Sequence, residues 1–325
     1  MKPLTTCQTT IYAVRKQVIW AGDFIHAPLM FRMLGLLLGF GFLTATAFGQ
    51  SDPLDGLRLL HGSLAECQGE ACLSLSDDIA SELEGLLSNP DLDEGWIEEV
   101  DFMAAVASGD ERLRVFTWNW THDDRTSGYG GLVVDRVQKG GQPRYTRLQD
   151  ESSAEAPELN RAYKPQEWCG ALYYDMIPDP VDDNTWFLLG WDDADAQVTR
   201  KVIEPLQARP RGVRFGAAML QSAMGMQRRH VLEFADAVQV SLRHQPKTKG
   251  RDGHGQRIVF DHLSPQEPHL SGISAYYGPD MTFEAYVPGK REGAPWVLQT
   301  NIEAIQPLPQ DRPFNDPRPR NRRRN

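Results

Sequence analysis

Residues 100–120 read VDFMAAVASGDERLRVFTWNW, and their periodicity decides the fold. Along Leu113–Trp120, Val115, Thr117 and Asn119 face one way, and Arg114, Phe116, Trp118 and Trp120 the other. A period of two belongs to a strand rather than a helix. Val100–Ala107 is the partner run, and Ser108-Gly109-Asp110 supplies turn residues, so the stretch predicts a β-hairpin.

Outward from this hairpin the pattern repeats. Strands are predicted at Gly131–Val137, Arg144–Leu148, Gly170–Ile177, Trp186–Trp191, Val198–Ile203 and Val213–Leu220. More follow at Val231–Phe234, Ala237–Leu242, Arg257–Leu263, Ile273–Tyr277, Thr282–Val287 and Trp296–Ile302. Clusters of Gly, Pro and Asp separate them. Short strands joined by tight turns predict a mainly β domain over 98–309, an antiparallel barrel, sandwich or propeller-like meander. No repeat of fixed period singles out the propeller.

A small helical segment over 50–97 precedes the strands. Leu54, Leu57, Leu59 and Leu60 form a short amphipathic piece before Gly62. Ser76 is the expected cap of a second helix, with Asp77 and Asp78 in its first turn and an apolar stripe of Ile79, Leu83, Leu86 and Leu87. Asn89-Pro90 ends it. Cys67 and Cys72 bracket Gln-Gly-Glu-Ala, and a disulfide between them would close a small ring, contributing about 2 kcal/mol by loop entropy. Cys169 is left over and lies in the apolar run Trp168–Tyr174, where burial is expected.

The amino end reads as an export signal. Met33–Phe48, MLGLLLGFGFLTATAF, is uncharged and follows Arg32; Ala47 and Gly49 fit the small-residue pattern of signal peptidase, which predicts a mature chain from Gln50. The run is shorter than the roughly 20 apolar residues of a spanning helix. Residues 1–29 read as an upstream extension, with the true start expected at Met30 or Met33. A periplasmic or secreted location is expected, an oxidising setting for Cys67 and Cys72.

The whole chain has a net charge of −10. The tail 310–325, QDRPFNDPRPRNRRRN, carries six arginines against Asp311 and Asp316, so the body is more acidic still. Such a body repels phosphate backbones and excludes nucleic acid as a partner. The tail is expected to be a disordered basic segment, able to contact anionic surfaces.

The segment 167–204 concentrates acidic groups around the predicted strand Trp186–Trp191. Asp182 and Asp183 lie at one end of it and Asp192, Asp193 and Asp195 at the other, about 20 Å apart for a six-residue strand, so the two groups cannot share an ion. Asp193 and Asp195 match early ligand positions of a calcium loop, and Glu204 falls at its twelfth position. Asp193, Asp195 and Glu204 are therefore the candidate metal set and calcium the candidate ion. Against it stands Val198, where the loop requires glycine for its sharp turn. His122-Asp123-Asp124 reads as turn chemistry, Asp252-Gly253-His254-Gly255 as a flexible loop, and Asp261 and His262 point to opposite faces of one strand. There is no nucleophile elbow, P-loop, dinucleotide fingerprint or zinc-protease motif. The aromatics Trp118, Trp120, Trp168, Tyr173, Tyr174, Trp186, Trp191, Tyr276 and Tyr277 sit in or beside predicted strands; exposed, they could line a sugar or peptide groove, but core packing is expected for most of them.

Several segments together, WCGALYY (168–174), LLGWD (188–192), IVFDHL (258–263), LRVFTW (113–118) and YGPD (277–280), resemble a Bacteroidota-like group of exported bacterial proteins with no assigned activity. The likeness spans roughly 100–300. It implies an exported envelope protein and carries over no catalytic residue. Cys169 departs from the pattern of the first segment, which argues against a catalytic thiol.

Three functions fit these observations. A noncatalytic envelope protein that binds a glycan, peptide or protein is favoured by the missing catalytic signatures. The alternative is an exported hydrolase using carboxylates or a bound divalent metal, which need leave no motif. The third is an adaptor that reaches anionic surfaces through its tail.

Overall fold

In the computed structural model, which describes residues 52–136, 142–152, 155–248 and 255–303, two α-helices lead into a β-rich body. The signal segment, the upstream extension, the loop at 251–254 and the tail 310–325 lie outside the described residues. Among the described residues, no helix is long and apolar enough to cross a membrane.

Helix α1 is Asp55–Leu64 and α2 is Glu70–Ser88. The second starts six residues earlier than its expected cap. Gly69, at φ 57, turns the chain into it, and Glu70 occupies the favourable first turn. Cys67 and Cys72 form a disulfide across this start. Cys72, Ile79, Ala80, Leu83 and Leu87 are the buried stripe, and Asn89 ends the helix as its sequence suggests. Ser76 lies inside the helix rather than at its cap, and its hydroxyl accepts the indole N–H of Trp118 at 3.0 Å.

The first sheet is β1 (Ala104–Ala107), β2 (Leu113–Thr121), β3 (Ser127–Asp135) and β4 (Arg144–Gln149), paired antiparallel in chain order. The middle sheet takes β5 (Leu172–Pro178), β6 (Thr185–Asp192), β7 (Val198–Arg209) and β8 (Gly212–Phe215). The outer sheet begins with β9 (Leu220–Ser222) and β10 (Gly225–Gln227); the chain then returns to the middle sheet as β11 (His230–Ala235), beside β7. It ends in the outer sheet with β12 (Leu242–Gln245), β13 (Arg257–Pro265), β14 (Tyr277–Val287) and β15 (Trp296–Gln299). The outer order is β10-β9-β15-β14-β13-β12, and β15 pairs with β9 in parallel. Among the described residues, none of the sheets closes into a barrel.

Three hydrophobic cores stack the layers, and period-two alternation assigns each side chain to one of them. From β2, Phe116, Trp118 and Trp120 join the core under the helices, while Leu113 and Val115 join the core shared with the middle sheet. From β6, Trp186 and Leu188 face that second core, and Phe187 and Leu189 face a third, shared with Phe260, Tyr286 and Trp296 of the outer sheet. The order is therefore helices, first sheet, middle sheet, outer sheet. The first two sheets are apolar on both faces because each is covered on both.

Glycines make the closest layer contact. Trp118 pairs with Gly130 and Trp120 with Gly128 across β2 and β3. A Cβ on Gly130 would stand 2.2 Å from the Trp118 indole nitrogen, and one on Gly128 2.4 Å from the Trp120 ring. Each indole lies over a bare backbone, which lets α2 close on the sheet.

Several expected strands are shifted or shortened, and Val213–Leu220 breaks after Phe215 into β8 and β9. Ala237–Val240 alternates but turns, and β12 starts only at Leu242. Ser274–Tyr276 is a 3-10 turn that delivers the chain into β14 at Tyr277.

Candidate functional site

The acidic segment around β6 is absorbed by the fold. Asp182 accepts from the Asn184 amide at 2.9 Å and the Thr185 hydroxyl at 2.7 Å. Asp195 accepts from the amides of Gln197 and Val198 at 2.7 and 2.9 Å, holding the β6–β7 turn, and the Asp193 amide donates to the Tyr129 hydroxyl at 2.8 Å. Glu204 lies six residues beyond Val198 along β7, about 20 Å at strand rise, so Asp193, Asp195 and Glu204 do not converge. Glu204 is instead buried and holds Arg229 in a two-pronged pair, 2.9 Å at each contact. Among the described residues, no three His, Cys, Asp or Glu side chains are gathered as a metal site.

The other sequence candidates are also structural. His122–Arg125 makes the β2–β3 turn, where Asp124 accepts from the Thr126 amide and hydroxyl at 3.0 and 2.6 Å. Cys169 is half-buried, and burial, ahead of the nearby Glu204 charge, pushes its thiol well above the usual range, the opposite of an activated nucleophile. Trp118, Trp120, Trp168 and Trp186 are buried and Trp191 packs on the second core, so they line no surface groove.

Chemistry gathers instead where the middle and outer sheets part at one end of the third core. An open cleft of about 460 Å³ lies between β11, the β13–β14 hairpin and the turn before β14, lined in part by His230, Glu233, His262, Ser274, Tyr277 and Glu284. Strand alternation explains the β11 wall. Arg229 reaches into the second core toward Glu204, with its guanidinium over the Tyr163 ring at 4.3 Å, so His230 takes the other face of β11, its ring 4.8 and 5.4 Å from those of Phe260 and Tyr286 at the edge of the third core.

The opposite wall depends on a bulge. Asp261 pairs with Phe283 and Leu263 with Pro279, so His262 faces the extra residues Asp280–Thr282. Asp280 accepts from the Thr282 amide and hydroxyl at 3.0 and 2.7 Å and meets His262 Nδ1 at 2.7 Å. These hydrogen bonds, the Thr282 hydroxyl first, hold the Asp280 carboxyl down at about 2. Met281, at φ 70 and 90 % exposed, takes the strained left-handed conformation that the bulge requires. With Nδ1–H donating to Asp280, the neutral His262 ring leaves Nε2 as an acceptor.

The two cleft glutamates differ. Glu233 is anchored: Arg200 Nε donates to it at 3.0 Å and Ser274 Oγ at 3.4 Å. Arg200 also reaches Asp192 at 3.2 Å, and the Tyr129 hydroxyl donates to Asp192 at 2.9 Å. Burial pushes Asp192 up to about 6 against the pull of Arg200. A polar relay thus crosses the middle sheet from Tyr129 to the cleft. Glu284 has no such anchor; among the described residues its carboxylate takes no hydrogen bond, and partial burial raises its pKa against the opposing effect of His262. His230 contacts the Tyr286 hydroxyl through Nδ1 at 3.3 Å, while its buried Nε2 has no partner among the described residues. Burial holds the His230 ring neutral, down to about 4.

Of these groups His262, Tyr277 and Asp192 are conspicuous in the sequence, but the pairing of His262 with Asp280 is not. The available signal was Gly278-Pro279 inside a strand pattern, which marks a bulge. Two of the segments quoted for the resemblance, 258–263 and 277–280, meet at this cleft.

Comparison with protein-family models, curated proteins and solved structures finds no match to this chain.

Proposed function

We propose that this is an exported, noncatalytic binding protein whose ligand occupies the cleft between β11 and the β13–β14 hairpin. The observation that carries this reading is an open cleft of about 460 Å³ lined by the Glu284 carboxylate, half-buried and without a protein donor among the described residues, beside the rings of His262 and Tyr277. A half-buried carboxylate without a protein donor has room for one, and a ligand in the cleft can supply it. Export rests on the Arg32–Gly49 signal pattern, and the envelope setting on the resemblance.

Thermal melts of the purified chain against a panel of monosaccharides, oligosaccharides and dipeptides test this. A ligand at 100 times its dissociation constant stabilises by about 2.7 kcal/mol, a clear shift in a melt. Stabilisation by at least one class, lost in a folded Tyr277→Ala variant, is expected. Stabilisation by none, or shifts that survive the variant, would retire the proposal.

One observation favours a hydrolase as the second reading. Asp280 and Glu284 flank His262 with opposite tendencies, one held ionised and the other biased toward its proton. Turnover of a glycoside or ester panel that disappears in Asp280→Asn would promote this reading over the first.

A further inference from the structure

We propose that the group recognised in the cleft is a primary ammonium, seated against the Glu284 carboxylate. This rests on the binding reading above and specifies its ligand. Among the described residues, no lysine or arginine lines the cleft. The neighbouring cations are engaged: Arg200 bridges Asp192 and Glu233 at 3.2 and 3.0 Å, and Lys201 lies over the Tyr174 ring at 5.7 Å. His262 is engaged with Asp280 at 2.7 Å. That leaves Glu284 half-buried, with neither a donor nor a dedicated counter-ion among the described residues.

A carboxylate removed from water without a donor is unfavourable, and a ligand cation relieves that cost. An anionic ligand would meet Glu233 and Glu284 with no positive side chain among the described lining residues to offset them. Tyr277 adds an aromatic wall, and an aromatic ring beside a carboxylate is a suitable seat for an ammonium. A calcium ion, by contrast, seeks six to eight oxygens, and Glu233 is already bonded to Arg200.

Two sources carry this group: a lysine side chain of a peptide, and an amino sugar of a glycan. Calorimetric titration of the full chain with Nα-acetyl-lysine amide and with glucosamine separates them. The controls are their uncharged counterparts, Nα-acetyl-norleucine amide and N-acetylglucosamine. One ammonium ligand is expected to bind well above its control and to weaken roughly ten- to hundred-fold in Glu284→Gln, the size of a charge-assisted hydrogen bond. It should weaken with salt as well. Glutamine keeps the shape of the side chain, and an unchanged far-ultraviolet spectrum verifies the fold. If the uncharged controls bind equally, or Glu284→Gln leaves affinity unchanged, the ammonium assignment fails while the cleft remains a binding site. If neither the four compounds nor the wider panel binds, both proposals fail together.

Discussion

The β2–β3 and β13–β14 hairpins are both long antiparallel pairs, and they are built in opposite ways. Along β2–β3 the register runs unbroken from Leu113↔Asp135 to Thr121↔Ser127, and nearly every side chain is buried on one face or the other. Along β13–β14 the register slips at His262, a strained methionine faces solvent, and a carboxylate is left without a donor among the described residues. The first hairpin lies between two cores. The second borders one core and a cleft. Regularity marks where the molecule holds its layers together, and irregularity borders the cleft where a ligand is proposed.

The sharpest way to break this contrast is at Arg229, which anchors the start of β11 from the second core. Arg229→Met leaves the Glu204 carboxylate buried and unpaired, an expected loss of about 3–5 kcal/mol in urea denaturation. Adding Glu204→Leu should restore much of it; no recovery in the double variant would mean that the pair is not the source. Next is Gly130→Ala. Its methyl must displace the Trp118 indole and disturb the Ser76 contact, at a cost of about 3 kcal/mol in the same measurement. An Ala variant as stable as the parent would show that the indole can shift freely.

Acid should test both regions together. His61, packed on Phe102 under the helices, and His230 at the cleft are each held down to about 4 by burial. The unfolded chain, protonating near 6.5, binds more protons below that value, so their contribution is complete above pH 6.5 and declines as pH falls toward 4. The denaturation midpoint should therefore drop between about pH 7 and 4.5, less steeply in His230→Phe. Glu284 works with the opposite sign. Its raised pKa favours the fold below about pH 4.5, and this is lost as pH rises, so Glu284→Gln should stabilise at about pH 7 and not at about pH 4. The smallest effect is expected at Met281. Glycine accepts the left-handed conformation, and Met281→Gly should gain about 1 kcal/mol while the His262–Asp280 contact persists. A loss would mean that the methionine side chain stabilises the bulge.

The β2 alternation and the Asn89-Pro90 stop were legible because they are local. So was the mainly β class, which follows from strand after strand read singly. The layer order was not legible, since it depends on which strands pair: nothing local announces that β15 lies parallel to β9, or that β11 leaves the outer sheet for the middle one. β10 was missed because Gly225-Met226-Gln227 is too short and mixed to show a period. The site follows the same division. Asp193 and Asp195 are conspicuous because they are neighbours in sequence, and for that reason they serve the turn between them. His262 and Asp280 meet only through a register slip, which composition does not encode.

Assembly of the outer sheet must wait for the far end of the β-rich body. Trp296, fully buried, packs on Phe187 at 4.5 Å and donates to Asp179, 117 residues upstream. β15 also lies between β9 and β14. Until residue 296 arrives, the third core lacks its central indole and β9 lacks its neighbour. Closing contacts of such sequence separation is slow, so the outer sheet should form late. For a chain that crosses a membrane before it folds, as the proposed export requires, that delay is an advantage: the nascent chain cannot complete its own structure ahead of translocation.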